Sequence, residues 1–440
     1  MSGFEQTPQI EVFAKDKCVG KLIFTSPHEC NFEYDEVWME IGYPISPHLP
    51  FTSKAEPKSV ISFIRNLFPE GSAFDMLLES ENVSGKNLYA ILKAIGRDTV
   101  GMLTFSCTPA KSTAELRRIT NTEIIQRLNK NSSMVIWDGK FRLSVAGVQN
   151  KLNVFIDDDD DLFLADGNYS STHILKFSSN DFNNIVINEL FCMRLAAKIG
   201  IDAAQVNIRH INNHSILVVK RFDRNIRPDY IEKRHIIDGC QALDLPPEYK
   251  YERLFGDNRD VAHIRDGVSI KKLFEFTENC TVPALAKQRL LDWILFNLII
   301  GNSDSHGKNI SFHTGRGGYS VAPFYDLVSV IFEAKNKSEI NTSLAMAIGD
   351  NFDINNITAY DLLSMAEECD IKFNLLKRRL QIMITSCKKT ISELDFSQDT
   401  LTYKQTEVIV SLGKLVNQRC DLLKNQLDMF NKVISGCFSA

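Results

Sequence analysis

With 440 residues, 44% hydrophobic and 24% charged, the chain is long enough for two or three domains with substantial cores. Its formal net charge of −5 argues against nonspecific nucleic-acid binding through the bulk field and leaves only local basic patches for such contacts. Ten cysteines are scattered singly from Cys18 to Cys437 with no C-x-x-C pair, the pattern of reduced thiols in a cytoplasmic protein. The start MSGFEQTPQI lacks a signal-peptide pattern, and Asp292 and Asn297 break the longest apolar stretch, so no membrane segment is expected.

Residues 1–107 read as a small α+β module. QIEVF and KLIF are short strands around a turn at 15–20, and NFEYD continues the meander. Helical apolar spacing follows at 59–67 and 86–95, and GRDTVGMLTF closes the module with a glycine-bounded strand. No catalytic constellation falls here, which suits a cover or docking domain. Residues 108–140 form a connecting segment, with a helix expected over 115–129.

Strand patterns dominate residues 141–223. FRLSVAGVQNKLNVF holds a small-residue bend, Ser144, Val145, Ala146 and Gly147, followed by Lys151 on an alternating strand. Such a bend can bring backbone N–H groups to a phosphate, although a strand with a glycine kink has the same sequence. The run Asp157 to Asp161 sits between VFI and LFLA, a hairpin tip where like charges are solvated, and is not read as a metal site. In THILKF, Lys176 stands among apolar neighbours. It calls for an anion such as a nucleotide phosphate, with Glu189 on the helix 185–199 as orienting partner, unless it snorkels from an edge strand. AQVNIRHI and SILVVKRF make a hairpin turned at Asn212 and Asn213, which places His210 and His214 on strands and not on one helix face.

Residues 224–440 are mostly helical, with amphipathic segments at 268–275, 283–301, 359–369, 372–386 and 406–435. The stretch LLDWILFNLIIGNSDSHGKNISF is the most informative in the chain. Its helix stops at Gly301, and Asp304 and Asn309 then lie five positions apart with His306 and Lys308 between them. A hairpin over 310–322 returns PFYDLVS, and with it Asp326, to the same loop. In outline this is a phosphotransferase loop. Asp304 would accept an acceptor's hydroxyl proton, with Lys308 beside it in the catalytic set. Asn309 and Asp326 would hold Mg²⁺ on nucleotide phosphates, with His306 among the nucleotide contacts. The bland reading is a polar turn between a core helix and a surface strand. If the loop is catalytic, the KRFDR crossover would bind adenine through backbone groups near Lys220, with Phe222 packing close by.

Taken in order, SVAGVQNK, THILKF, NEL, VVKRFDR, CQALDLPPEYKYE, IGNSDSHGKN and APFYDLVS resemble HipA-type serine/threonine kinases, the toxins of HipBA toxin–antitoxin modules. The resemblance covers nearly the whole chain, since residues 1–107 with their GRDTVG segment are similar to the HipA N-terminal domain. It implies an α+β, two-lobed protein-kinase-like fold, with residues 141–223 as the ATP-binding β-rich lobe and 224–440 as an all-helical catalytic lobe. It also implies ATP and Mg²⁺ as cofactors, phosphate contact by Lys176, autophosphorylation at Ser144, and metal at Asn309 and Asp326. The implied partners are a HipB-like helix-turn-helix antitoxin, DNA only through that antitoxin, and a protein substrate that by family precedent is an aminoacyl-tRNA synthetase. Gln241 falls in the matching CQ segment.

Two positions depart from the pattern: Asn150 and Lys220 stand where such sequences often carry Glu. The resulting expectation is a growth-inhibiting protein kinase. A small-molecule phosphotransferase shares the same loop logic and would label no protein in a lysate. A nucleotide-sensing corepressor working through a DNA-binding partner would bind nucleotide without turnover.

Overall fold

The structure, a computed structural model, describes residues 8–96, 98–106, 115–130, 133–142, 150–166, 169–178, 182–227, 230–256, 258, 260–335, 337 and 339–437. Contacts divide the chain into two compact units. The first comprises residues 1–179, 210–247 and 312–319, and the second 180–209, 248–311 and 320–440.

The first unit opens with a four-stranded antiparallel sheet in the order Glu29–Tyr34, Lys17–Ser26, Gln9–Ala14, Leu103–Ser106. Alternation in QIEVF buries Ile10 and Val12 on one face, with Ile10 opposite Leu22. The helices expected at 59–67 and 86–95 are Pro57–Arg65 and Leu88–Ile95. Pro57 opens the first, and the Asn87 side chain accepts from the Ala90 N–H to cap the second. Two helices without a strong periodic signal, Glu36–Ile41 and Ser72–Glu81, complete the module.

The helix expected over 115–129 is only half right. Glu115–Ile119 is a strand paired antiparallel with Leu162–Asp166, and the helix runs Asn121–Asn129. Thr120 is its N-cap, and Thr120 and Glu123 form a reciprocal capping box that marks where strand gives way to helix. The strand joins the edge of the unit's main sheet, beside Leu162–Asp166, Lys151–Ile156, His173–Phe177 and His214–Lys220, with the end of Val206–Ile211 at the far edge. Leu152, Val154, Leu164, Leu175, Phe177 and Ile216 form the core over this sheet with Trp137. Asp157 to Asp161 turn the hairpin as expected. The Asp157 side chain accepts from the N–H groups of Asp159 and Asp161 at 3.1 and 2.8 Å, so its carboxylate serves the turn.

Within the same unit the N-terminal module is fastened to the segment around the helix Gly239–Ala242. Gln241 Nε2 donates to the Phe63 carbonyl at 3.0 Å, Asn66 Nδ2 to Leu245 at 2.8 Å, and the Ser59 hydroxyl to Asp244 at 2.6 Å. The Thr314 N–H donates to the His235 carbonyl at 3.0 Å, tying the tip of the Ser311–Gly315/Gly318–Val321 hairpin to the start of the strand Ile236–Asp238.

Long helices build the second unit: Ile185–Lys198, Pro283–Ile300, Ala359–Glu368, Phe373–Ile391 and Tyr403–Cys437. Residues 290–300 are buried throughout, so Pro283–Ile300 is a central helix and not a surface one. Its one acid there, Asp292, meets Arg379 through two bonds of 2.7 and 2.5 Å. Arg419 donates to the Leu298 and Ile354 carbonyls at 2.6 and 2.9 Å. A small hairpin, Ser343–Ile348 with Asn351–Asp353, lies among these helices. Among the described residues no helix is long and apolar enough to cross a membrane.

Candidate active site

The central helix ends where Gly301 adopts φ +73°, a conformation that disfavours side chains, and a Cβ there would lie 2.8 Å from Ile331 Cδ1. Two asparagines then pin the turn. Asn302 donates through its backbone N–H to the Asn297 carbonyl and through Nδ2 to Asn297 Oδ1, both at 2.8 Å, and its own Oδ1 accepts from the Asp304 N–H at 3.2 Å. Asp304 is exposed, whereas residues 301–303 and 305–312 are buried. Its Oδ1 accepts a bond from the Tyr251 hydroxyl at 2.8 Å.

Residues Gly307–Asn309 form a single tight turn. His306 Nδ1 accepts from the Lys308 N–H at 3.2 Å, and Asn309 Oδ1 accepts from the His306 N–H at 3.1 Å. Burial, with the nearby Lys250 and Lys308 charges, holds the His306 imidazole well below its usual range against the opposing pull of Asp326. The ring is therefore neutral at pH 7 and able to accept at Nδ1. His306, expected among nucleotide contacts, is seen here shaping the turn. Lys308 is 6% exposed, and its carbonyl accepts from the Tyr325 hydroxyl at 2.7 Å.

Asp326 arrives on a fixed segment. The Phe324 N–H donates to Asp202 and the Phe324 carbonyl accepts from Ala204, both at 2.8 Å, and Asn188 holds Ser329 from both sides. Asn309 Nδ2 donates to Asp326 Oδ2 at 3.3 Å, so the two proposed metal-holding side chains are neighbours. Asp326 has φ +54°, a conformation rare outside glycine that the surrounding structure must hold in place. The Asp326 carboxylate and Asn309 Oδ1 are oxygen donors of the kind a hard cation such as Mg²⁺ takes; here Asn309 Oδ1 accepts from the His306 N–H and its Nδ2 faces Asp326. The described residues contain no group of three or more His, Cys, Asp or Glu that would form an all-protein cage.

The phosphate-binding expectations belong to the first unit. Ser144, Val145, Ala146 and Gly147 lie outside the described residues. Lys151 and Lys176 sit directly opposite each other on adjacent antiparallel strands and are 2% and 4% exposed. Lys220 is exposed at the end of its strand, opposite His173. Burial, with the Lys220 charge, pushes His173 down to about 4. Phe222 is half-buried and meets His313 edge-on at 6.0 Å. Glu189, expected to orient Lys176, is buried on Ile185–Lys198 in the second unit.

Two features escaped the sequence reading. One is Tyr251, from the YKYE segment, which had been given no role. The other is an ion cluster in the first unit that joins KRFDR to GRDTVG. Asp223 accepts from Arg221 and Arg224 at 2.8 and 2.7 Å and from the Gly101 N–H at 2.9 Å, while Asp98 accepts from Arg224 at 3.1 Å and from Ser171 at 2.6 Å. Burial would raise the Asp98 carboxyl, but the Arg221 and Arg224 guanidiniums outweigh it and hold it at about 2. Opposite charges in both motifs were the available signal, though nothing local pairs stretches more than 120 residues apart.

Known proteins match the chain over nearly its whole length. Residues 10–106 match the HipA N-terminal domain and residues 143–394 the HipA-like C-terminal domain. The serine/threonine-protein kinase toxin HipA of Shewanella oneidensis is 39% identical over 94% of this chain and 96% of its own. A putative kinase of Sinorhizobium fredii, Y4mE, is 30% identical over 88% of this chain and 91% of its own. Among solved structures, a complex of S. oneidensis HipA, HipB and operator DNA contains a chain that superposes with a TM-score of 0.88 at 38% identity, covering 96% of this chain and 99% of that one. With both domains matched in order and relatives aligned over nearly its full length, the chain belongs to the HipA family.

Proposed function

We propose that the chain is an ATP-dependent serine/threonine protein kinase that acts in the cytoplasm as the toxin of a toxin–antitoxin module. The observation that carries this is the loop of the second unit, where Asp304 alone is exposed in a buried turn and Asn309 adjoins Asp326. Similarity to the S. oneidensis kinase toxin over nearly the whole chain adds support.

In the proposed mechanism Asp304 accepts the proton of the acceptor hydroxyl, and Lys308 supplies positive charge to the same loop. Asn309 and Asp326 would hold Mg²⁺, which when bound neutralises charge on the nucleotide phosphates. Lys151 and Lys176 bind phosphate oxygens, and the chain around Lys220 and Phe222 receives the adenine. His306 contributes by holding the turn between Asp304 and Asn309 in shape. Family resemblance adds three finer proposals: autophosphorylation at Ser144, an aminoacyl-tRNA synthetase as substrate, and a HipB-like helix-turn-helix antitoxin that mediates any contact with DNA.

The test uses labelled ATP in a cell lysate with wild-type protein and Asp304→Ala. Wild type should label a protein that the variant does not, while both retain ATP binding, because the substitution removes a base and not a nucleotide contact. Labelling of small molecules alone would replace this proposal with a small-molecule phosphotransferase. Nucleotide binding by wild type without any turnover would point to a corepressor.

A further inference from the structure

We propose that Tyr251 is a positioning residue for phosphoryl transfer. Its phenol hydroxyl fixes one oxygen of the Asp304 carboxylate so that the other is presented to the acceptor hydroxyl. This rests on the kinase function proposed above and adds a residue to it.

The contact itself is a 2.8 Å bond from the Tyr251 hydroxyl to Asp304 Oδ1. Asp304 is exposed, and an exposed carboxylate on a turn samples several rotamers unless a partner selects one. A base in proton transfer must sit within hydrogen-bond reach of its substrate and be held there closely, so the choice of rotamer matters to the rate.

The backbone on which Tyr251 stands is firmly held, although its ring is partly exposed. The Glu252 N–H donates to the Ala345 carbonyl at 2.9 Å, and the Ala345 N–H donates to Ser303 at 2.8 Å. Ala345 thus links the residue after Tyr251 to the residue before Asp304. On the opposite side, Val268 and Gly267 donate their N–H groups to the carbonyls of Tyr249 and Glu252 at 2.8 and 3.2 Å. A Cβ on Gly267 would lie only 1.8 Å from the Tyr251 carbonyl oxygen, so the two stretches lie too close for any larger residue there. The Glu252 carboxylate anchors the segment further, accepting from the Ala347 N–H at 2.8 Å and from Arg265 Nε at 2.6 Å. The Tyr251 ring meets His306 edge-on at 5.1 Å, and the Lys250 ammonium lies 5.3 Å from its centroid.

Those restraints favour a fixed strut over a displaceable plug. A phenol that merely filled the acceptor's place would have to leave each time a substrate bound, against a segment bonded on both sides. An ionised carboxylate has about four acceptor sites on its two oxygens, so a bond from Tyr251 leaves capacity to accept from a second hydroxyl.

The test is a comparison of wild type, Tyr251→Phe and Tyr251→Ala for phosphoryl transfer to dephosphorylated casein and to the chain itself. Tyr251→Phe keeps the ring and loses only the hydroxyl. Its kcat should fall about tenfold, the effect of one lost orienting hydrogen bond on a rate, with the KM for ATP and for casein unchanged. A wild-type rate in Tyr251→Phe with a loss only in Tyr251→Ala would reduce the contact to ring packing and overturn the proposal. So would an unchanged kcat with a lowered KM for casein, the signature of a plug removed. A wild-type protein that labels neither acceptor would count against the kinase function as a whole. An active wild type with an unaffected Tyr251→Phe would overturn this inference alone.

Discussion

His235 is 3% exposed, and its Nε2 donates to the Ile45 carbonyl at 2.7 Å, while its Nδ1 is buried with no hydrogen-bond partner among the described residues. Protonating Nδ1 would leave an unpaired charge in the first unit's interior, and burial accordingly pushes the imidazole down to about 4. An unfolded histidine takes its proton near pH 6.5, so between 6.5 and 4 the unfolded chain binds a proton that the folded chain refuses. Stability is lost over that window as pH falls, by about 2 kcal/mol between pH 7 and 5 for this one group. Glutamine cannot titrate there and keeps a donor for Ile45. Denaturant unfolding of wild type and His235→Gln at the two pH values should therefore show a smaller loss in the variant, and equal losses would refute the assignment. Such partnerships were not legible in the sequence. Asp304, Asn309 and Asp326 could be named because their spacing is local to one loop and one hairpin. The partner of His235 lies 190 residues away and that of Asp304 lies 53 away, so both emerge only when the chain is folded.

Helix ends were more legible than strand edges. Pro283 and Gly301 bracket the central helix as the sequence suggests, since proline suits a first turn and glycine a left-handed stop. At Gly301 both reasons for glycine coincide: φ is +73°, and the Ile331 side chain occupies the space a Cβ would need. Gly301→Ala should cost about 1–2 kcal/mol for the backbone conformation, with any displacement of Ile331 in addition. Urea unfolding would measure it, and a neutral substitution would show that the loop relaxes without penalty. Residues 115–119 show the opposite case. Leu116 and Ile119 are three apart, a helical spacing, yet pairing with Leu162–Asp166 makes the segment a strand. The capping box at Thr120 and Glu123 was the one local sign that the helix begins later.

At the scale of the whole chain, the order of short motifs identified the family, because seven segments recurring in sequence constrain a fold more than any one of them does. Grouping by contact then joins stretches far apart in the chain, 1–179 with 210–247 and 312–319, which sequence position alone does not convey. The last prediction follows from charge. A net charge of −5 denies the chain the long-range attraction that supplies most nonspecific affinity for the DNA backbone. Alone, it should give no specific gel shift with duplex DNA at physiological salt. Any binding at low salt should depend steeply on salt, since only a local basic patch would carry it. A small helix-turn-helix antitoxin brings the recognition helix that this proposal assigns to the partner, and its dimer would set the half-site spacing. Adding that antitoxin should bring the chain into an operator complex as a further supershift, with the sequence preference unchanged from that of the antitoxin alone. A tight, sequence-specific shift by the isolated chain would refute the indirect model and place a base-reading surface on this protein itself.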